Sequence, residues 1–141
     1  MWVNDGTWDR DSTDLRVCPY VDAWARFVSY FKYRSIGGET PICSHAMRIA
    51  CMPDDWGMVE GDLWLVERKS GTMPPLVGLQ LAGQAHMLEE SLHLTPVRLV
   101  AVRLSDTGEY KPFYFRREEW HQRYLSAVNV WHMLHDFGLI A

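Results

Sequence analysis

The apolar residues of this chain change their spacing several times along its 141 residues, so the sequence fits only folds that combine helices with strands. A helical stripe begins at Pro19, and the pair Gly37-Gly38 is predicted to end that helix. The next segments alternate with the period of extended chain: residues 41–51, 55–59 and Leu63–Val66. The pattern therefore predicts the α/β class.

The second half of the chain repeats this change of period. A helix is predicted over residues 77–92 and a strand buried on both faces over Val97–Leu104, followed by the strand Tyr110–Phe115 and the helix Glu118–Asp136. The predicted order is α-β-β-β-α-β-β-α, without an internal repeat. The length suits one domain, which we place at residues 17–141 after a flexible lead-in over residues 1–16.

Charge and cysteine content narrow the class of protein. The chain has 18 acidic and 14 basic residues, a net charge of −4, which excludes the broad basic surface of a histone-like nucleic-acid binder. Its three cysteines form no CxxC pair, so free thiols in a reducing compartment are expected. No signal peptide or membrane span is predicted, and we expect a cytoplasmic protein.

One predicted hairpin carries acidic residues that could bind a metal ion. If Glu60 and Gly61 are the central residues of its turn, Asp54 lies opposite Glu67, and opposed Cβ atoms are about 4.5–5.5 Å apart. Two carboxylates at that distance repel each other unless a cation lies between them. Mg²⁺ binds in this way, through one or two carboxylates and several waters.

A lysine joins the acid pair. Side chains alternate along a strand, so Lys69 shares a face with Glu67. Two acids and one amine can bind a divalent ion, orient a water and stabilise charge on a phosphate. Asp62 is a rival partner for Glu67, but it lies five residues away on the same strand. Asp55 remains in reserve, because a register slip of one residue would bring it into the pair.

These residues resemble a known motif. Pro53-Asp54, twelve further residues and then Glu67-Arg68-Lys69 resemble the signature of the PD-(D/E)XK nuclease superfamily. Residues 50–71 look like the hairpin of its RecB-type and phage-exonuclease members. The segment LQLAGQAHML, residues 79–88, is similar to the helix that follows in those families and includes a Gln, here Gln80, that usually lies near the active site.

The resemblance covers about residues 20–136. It implies an αβββαβ restriction-endonuclease-like core, with a mixed central sheet flanked by helices and an extra C-terminal strand and helix. The sequence departs from the pattern at Cys51, where Gly is common, and at Gln84, where the QxxxY form of the motif has Tyr. The helix upstream, which often supplies a further acid or His, is short, and Glu39 is the nearest match to such an acid.

The resemblance also implies an activity: an Mg²⁺- or Mn²⁺-dependent deoxyribonuclease. Asp54, Glu67 and the backbone carbonyl of Arg68 would hold the metal, with Glu39 as a further candidate ligand. Lys69 would orient or activate the attacking water, and Gln80 would position the site or the DNA backbone. The candidate DNA contacts are Arg68, Gln84, Arg116 and Arg117.

We therefore expect a small exonuclease or endonuclease of phage or bacterial DNA replication, recombination or processing. For a phage protein, the location would be the host cytoplasm. Two alternatives stay open: a structure-selective endonuclease similar to archaeal Holliday-junction resolvases, and a catalytically silent DNA-binding or assembly subunit. The expected partner is DNA. Because a domain of net charge −4 has little basic surface, self-association or a protein partner is also expected.

Overall fold

The computed structural model describes residues 14–141, and in these residues the protein is α/β, with a mixed central sheet flanked by three helices. Of the lead-in predicted over residues 1–16, residues 1–13 lie outside the described residues. The elements in chain order are α1 (Cys18–Phe31), β1 (Arg34–Gly37), β2 (Ile42–Ser44), β3 (Ile49–Cys51), β4 (Asp55–Val59), β5 (Asp62–Ser70), α2 (Val77–Leu92), β6 (Arg98–Leu104), β7 (Tyr110–Phe115) and α3 (Arg117–Asp136).

The main sheet has five strands in the order β1-β4-β5-β6-β7. Only the β5–β6 pairing is parallel; the other three are antiparallel. Parallel neighbours need a crossover connection, and α2 provides it between β5 and β6. Strands β2 and β3 form a separate two-stranded hairpin.

The β4–β5 hairpin has the predicted register. Asp55 pairs with Val66 and Val59 with Asp62, so Glu60 and Gly61 are the two turn residues. Their φ angles of 51° and 90° are both positive, as a two-residue type I′ turn requires. The register prediction is therefore confirmed, and Asp54, the residue before β4, comes opposite Glu67.

Each face of the sheet has its own apolar core. On one face α1 packs its aromatic side chains, including Trp24 and Phe27, against Val66, Val100 and Val102. On the other face α2 covers Leu65, Leu99 and Ala101 with Leu81, Ala85 and Leu88. Helix α3 packs on α2, where the Tyr124 ring lies against Gly83. Because residues of β5 alternate between these cores, its polar end also presents side chains to both faces.

Two predicted elements in the first half are wrong. The first helix ends at Phe31 rather than at Gly37-Gly38, because Lys32 takes a left-handed conformation and residues 34–37 form β1. Gly37 is needed for close packing, since a Cβ there would lie 2.3 Å from the Trp56 ring. The extended segment 41–51 is two short strands joined by a turn, and it pairs with itself rather than with the main sheet.

The second half follows the sequence prediction closely. Helix α2 has the predicted bounds, β6 begins one residue later than predicted, and α3 begins one residue earlier. The middle of β6 is buried on both faces, as expected for a strand between two helical layers. Across residues 14–141, no helix combines the length and apolarity needed to cross a membrane.

Candidate active site

Glu67 is the centre of the candidate site. Its side chain is buried, with the residue only 3% exposed. Oε1 accepts hydrogen bonds from Lys69 Nζ at 2.7 Å and from Gln80 Nε2 at 2.6 Å, and Oε2 accepts one from Gln84 Nε2 at 3.0 Å. A buried charge is tolerated when it is paired and hydrogen-bonded, and this carboxylate is both.

Two regular elements bring these four side chains together. Glu67 and Lys69 are alternate residues of β5, so both face α2. Gln80 and Gln84 lie one turn apart on α2 and therefore share a face of that helix. Lys69 Nζ also donates to Gln80 Oε1 at 3.2 Å, which closes a small network between strand and helix.

Asp54 approaches from the neighbouring strand of the hairpin. Its Oδ2 accepts a hydrogen bond from the backbone N–H of Arg68 at 2.7 Å. Burial raises the pKa of Asp54; the bond from Arg68 acts against this rise and the negative charge of Glu67 adds to it. The two carboxylates therefore interact across the hairpin, and a cation between them would relieve their repulsion.

Arg68 faces the opposite side of the sheet from Glu67. Its guanidinium lies over the Trp24 ring, 5.3 Å from the centroid, and donates to the Asp54 carbonyl at 3.4 Å. It also forms an ion pair with Glu39 at 3.4 Å. Glu39 itself is largely exposed, with 76% of its side chain accessible, and its N–H donates to the Pro53 carbonyl. Arg68 thus contacts both Asp54 and Glu39 at the end of β5.

An open cleft of about 360 Å³ adjoins this end of the sheet. Its acidic lining residues are Glu39, Asp54 and Asp55. Asp55 accepts a hydrogen bond from the Tyr33 hydroxyl at 2.7 Å and is paired in register with Val66, so it faces the α1 side rather than Glu67. The reserve role of Asp55 is therefore wrong. Asp62 lies at the other end of β5, five residues from Glu67 along the strand, and does not reach it.

The absence of a side chain at Gly38 allows the backbone of Asp54 to approach closely. A Cβ at Gly38 would lie 2.4 Å from the Asp54 carbonyl oxygen, a backbone atom that cannot rotate away. We expect Gly38→Ala to destabilise the fold by about 1–3 kcal/mol and to weaken Mn²⁺ binding, because the loop must shift. Thermal unfolding and calorimetric titration measure the two effects. Thr40→Ser, an exposed change in the same loop that keeps the hydroxyl bonded to the Gly38 carbonyl, is the control. Unchanged Mn²⁺ affinity in Gly38→Ala would contradict this role.

The atoms at this site that could bind a metal ion are mainly oxygen atoms. Within residues 14–141, no three His, Cys, Asp or Glu side chains are grouped for metal binding, so the acid pair stands as a two-carboxylate set. Gln84 Oε1, next to Glu67, is buried and has no hydrogen-bond partner among the described residues. Hard cations such as Mg²⁺ prefer oxygen ligands and keep several waters, so this set fits such an ion. Burial and the charge of Glu67 raise the pKa of Cys51 to about 11, so its thiol stays protonated.

Three of the residues predicted to contact DNA are placed in different parts of the structure. Arg117 begins α3 and forms an ion pair with Glu89 of α2, and Arg116 is the exposed residue before it. Gln84 is only 2% exposed and bonds Glu67, so its amide supports the carboxylate rather than facing solvent as a DNA contact would.

Two contributions were missed in the sequence. The stacking of Arg68 on Trp24 depends on how α1 packs, and no local pattern predicts it. The support of Glu67 by Gln84 had a signal, since the two glutamines of α2 are spaced i, i+4. That signal gives a shared helix face but not the strand residue that the face meets.

The chain was compared with models of known protein families and with curated proteins, and neither comparison found a match.

Proposed function

We propose that this protein is a metal-dependent deoxyribonuclease of the PD-(D/E)XK type, which hydrolyses phosphodiester bonds. The observation that carries the proposal is the hydrogen-bonded set of Glu67, Lys69 and Gln80, with Asp54 opposite Glu67 across the hairpin. These are the residues in which the sequence resembles that superfamily.

The arrangement of the fold supports the same proposal. Leaving aside the β2–β3 hairpin, the chain runs α1, three antiparallel strands (β1, β4 and β5), α2 and then β6 parallel to β5. This element order is the αβββαβ order that the resemblance implies. Strand β7 and helix α3 are then the C-terminal additions, and α3 covers α2 away from the sheet.

Each residue has a role that its chemistry allows. Asp54, Glu67 and the carbonyl of Arg68 would hold Mg²⁺ or Mn²⁺, which when bound lowers the pKa of a water and offsets charge on the phosphate. Lys69 has donors and no acceptor, so it cannot ligate the metal and instead orients the water or stabilises charge on the phosphate. Gln80 bridges Lys69 and Glu67 and fixes the position of both.

One observation also favours a catalytically silent DNA-binding subunit. Three side-chain donors already occupy the Glu67 carboxylate, and such a network would also serve to satisfy a buried acid. The two functions differ in turnover, since the silent subunit would bind DNA without cutting it.

The test is cleavage of linear, circular and branched DNA with Mg²⁺, with Mn²⁺ and with EDTA. We expect cleavage with either metal and none with EDTA. The substrate panel separates exonuclease from endonuclease activity and detects a preference for branched DNA. Cleavage that continues undiminished in EDTA would contradict the metal role, and DNA binding without cleavage under any condition would favour the silent subunit.

A further inference from the structure

A second feature lies directly beside the candidate site. Residues of α2 and α3 line an open groove of about 410 Å³, within the usual size range of small-ligand pockets. Its lining is almost entirely apolar, and its residues are Leu76, Leu79, Gln80, Tyr124, Ala127, Val128 and Trp131. The nuclease proposal assigns no role to any of these residues except Gln80.

Gln80 connects the groove to the acid network. The same side chain that lines the groove donates to Glu67 Oε1 and accepts from Lys69 Nζ. The ammonium group of Lys69 is therefore placed at the Gln80 end of the groove. An occupant that extends from the groove toward Glu67 meets the Lys69 ammonium, whose charge Glu67 offsets, and the divalent ion of the proposed site would add the positive charge that suits a molecule with an apolar, flat part joined to an anionic part.

Trp131 supplies a flat surface in the groove. It is 45% exposed, and its ring is stacked on His135 with centroids 5.3 Å apart and an interplanar angle of 18°. An indole covered on one face and accessible elsewhere can stack with a further flat ring. Tyr124 lines the groove through its ring, since its hydroxyl oxygen is itself buried.

We propose that this groove binds one unpaired nucleobase of a single-stranded DNA segment whose phosphate lies at Lys69. The assignment rests on the proposed function, since it names the form of DNA that this site takes. A nucleotide joins a flat, weakly polar base to an anionic phosphate, which matches the groove and the ammonium beside it.

Base stacking can provide DNA affinity that does not depend on the net charge of the protein. A chain with a net charge of −4 gains little from general phosphate contacts, which supply most non-specific affinity in basic DNA-binding proteins. Base–aromatic stacking contributes about 1–3 kcal/mol per base and does not depend on a basic surface. A base-stacking groove therefore gives an acidic protein a way to hold DNA.

The test is binding of short oligothymidylates in which one base at a time is replaced by an abasic site, measured in EDTA and again with Ca²⁺. For the unmodified protein we expect one position in the series to weaken binding by at least about 5-fold. For Trp131→Ala, intact DNA should bind more weakly and the series should become flat. Trp131→Phe should restore the dependence on position, and Met133→Ala, a 51% exposed residue of α3 outside the groove, should leave it unchanged.

The results separate this assignment from the nuclease proposal, because the readout is binding. A protein that shows the position-dependent loss but never cleaves DNA would support the groove and contradict the nuclease. A flat series with the unmodified protein, or no binding of single strands in either buffer, would overturn the groove. Loss of self-association in Trp131→Ala with DNA binding unaffected would also overturn it, because the groove would then hold a second copy of the chain.

Discussion

Replacing Lys69 with methionine is expected to slow single-turnover DNA cleavage at saturating Mg²⁺ by about 10²–10³-fold and to weaken DNA affinity in Ca²⁺ by much less, since one phosphate contact is lost. Methionine keeps the length and packing of the side chain but removes the ammonium group, whose bonds to Glu67 and Gln80 place it at the centre of the site. Lys111→Met, which changes an exposed lysine of β7, is the control. A variant that cleaves within a few-fold of the unmodified protein would show that Lys69 is not catalytic.

The same substitution has a separate effect on stability. Glu67 is buried, and without Lys69 its charge keeps only the two amide donors. Removing one partner of a buried pair costs about 3–5 kcal/mol, and the partial exposure of Lys69 should reduce this toward about 2–3 kcal/mol. The double variant Lys69→Met with Glu67→Gln should regain stability but not cleavage. Regained cleavage in that double variant would mean that the pair is structural.

Asp54→Asn is expected to lower Mn²⁺ affinity by more than about 10–100-fold. That range applies to the loss of a residue that supports a metal ligand, whereas Asp54 would be a ligand itself. The amide oxygen of asparagine can still accept the hydrogen bond from Arg68, so the loop should keep its position. Asp62→Asn, at the far end of β5, removes the same charge without touching the site and is the control. Calorimetric titration measures both. Equal losses in the two variants would contradict the pairing of Asp54 with Glu67.

Without metal, Asp54→Asn should stabilise the protein at neutral pH. Burial raises the pKa of Asp54 in the folded protein, so folding favours its protonated form and the ionised carboxylate is a cost at neutral pH. Asparagine removes that cost. As the pH falls through the raised pKa, the unmodified protein becomes protonated and the difference in unfolding temperature should shrink. Thermal unfolding in EDTA at neutral and mildly acidic pH measures it, and a variant less stable at neutral pH would contradict the sign.

The sequence by itself determined the elements with strong local patterns. The positive φ angles that a two-residue turn needs are favourable at Gly61, and this turn fixes the register that places Asp54 opposite Glu67. Helix α2 has a continuous apolar stripe and so was predicted with its observed bounds. The apolar run of β6 indicated burial on both faces, because only a strand between two helical layers can hide such a run.

Only the tertiary structure decided which of these elements meet. Residues 34–37 have no strong strand pattern, and they form β1 because pairing with β4 satisfies their backbone and Trp56 packs where Gly37 has no side chain. Likewise, i, i+4 spacing puts two glutamines of α2 on one face, but the packing of α2 on β5 is what places that face over Glu67. Contacts between residues distant in the chain depend on how whole layers pack, and local spacing carries no information about that packing.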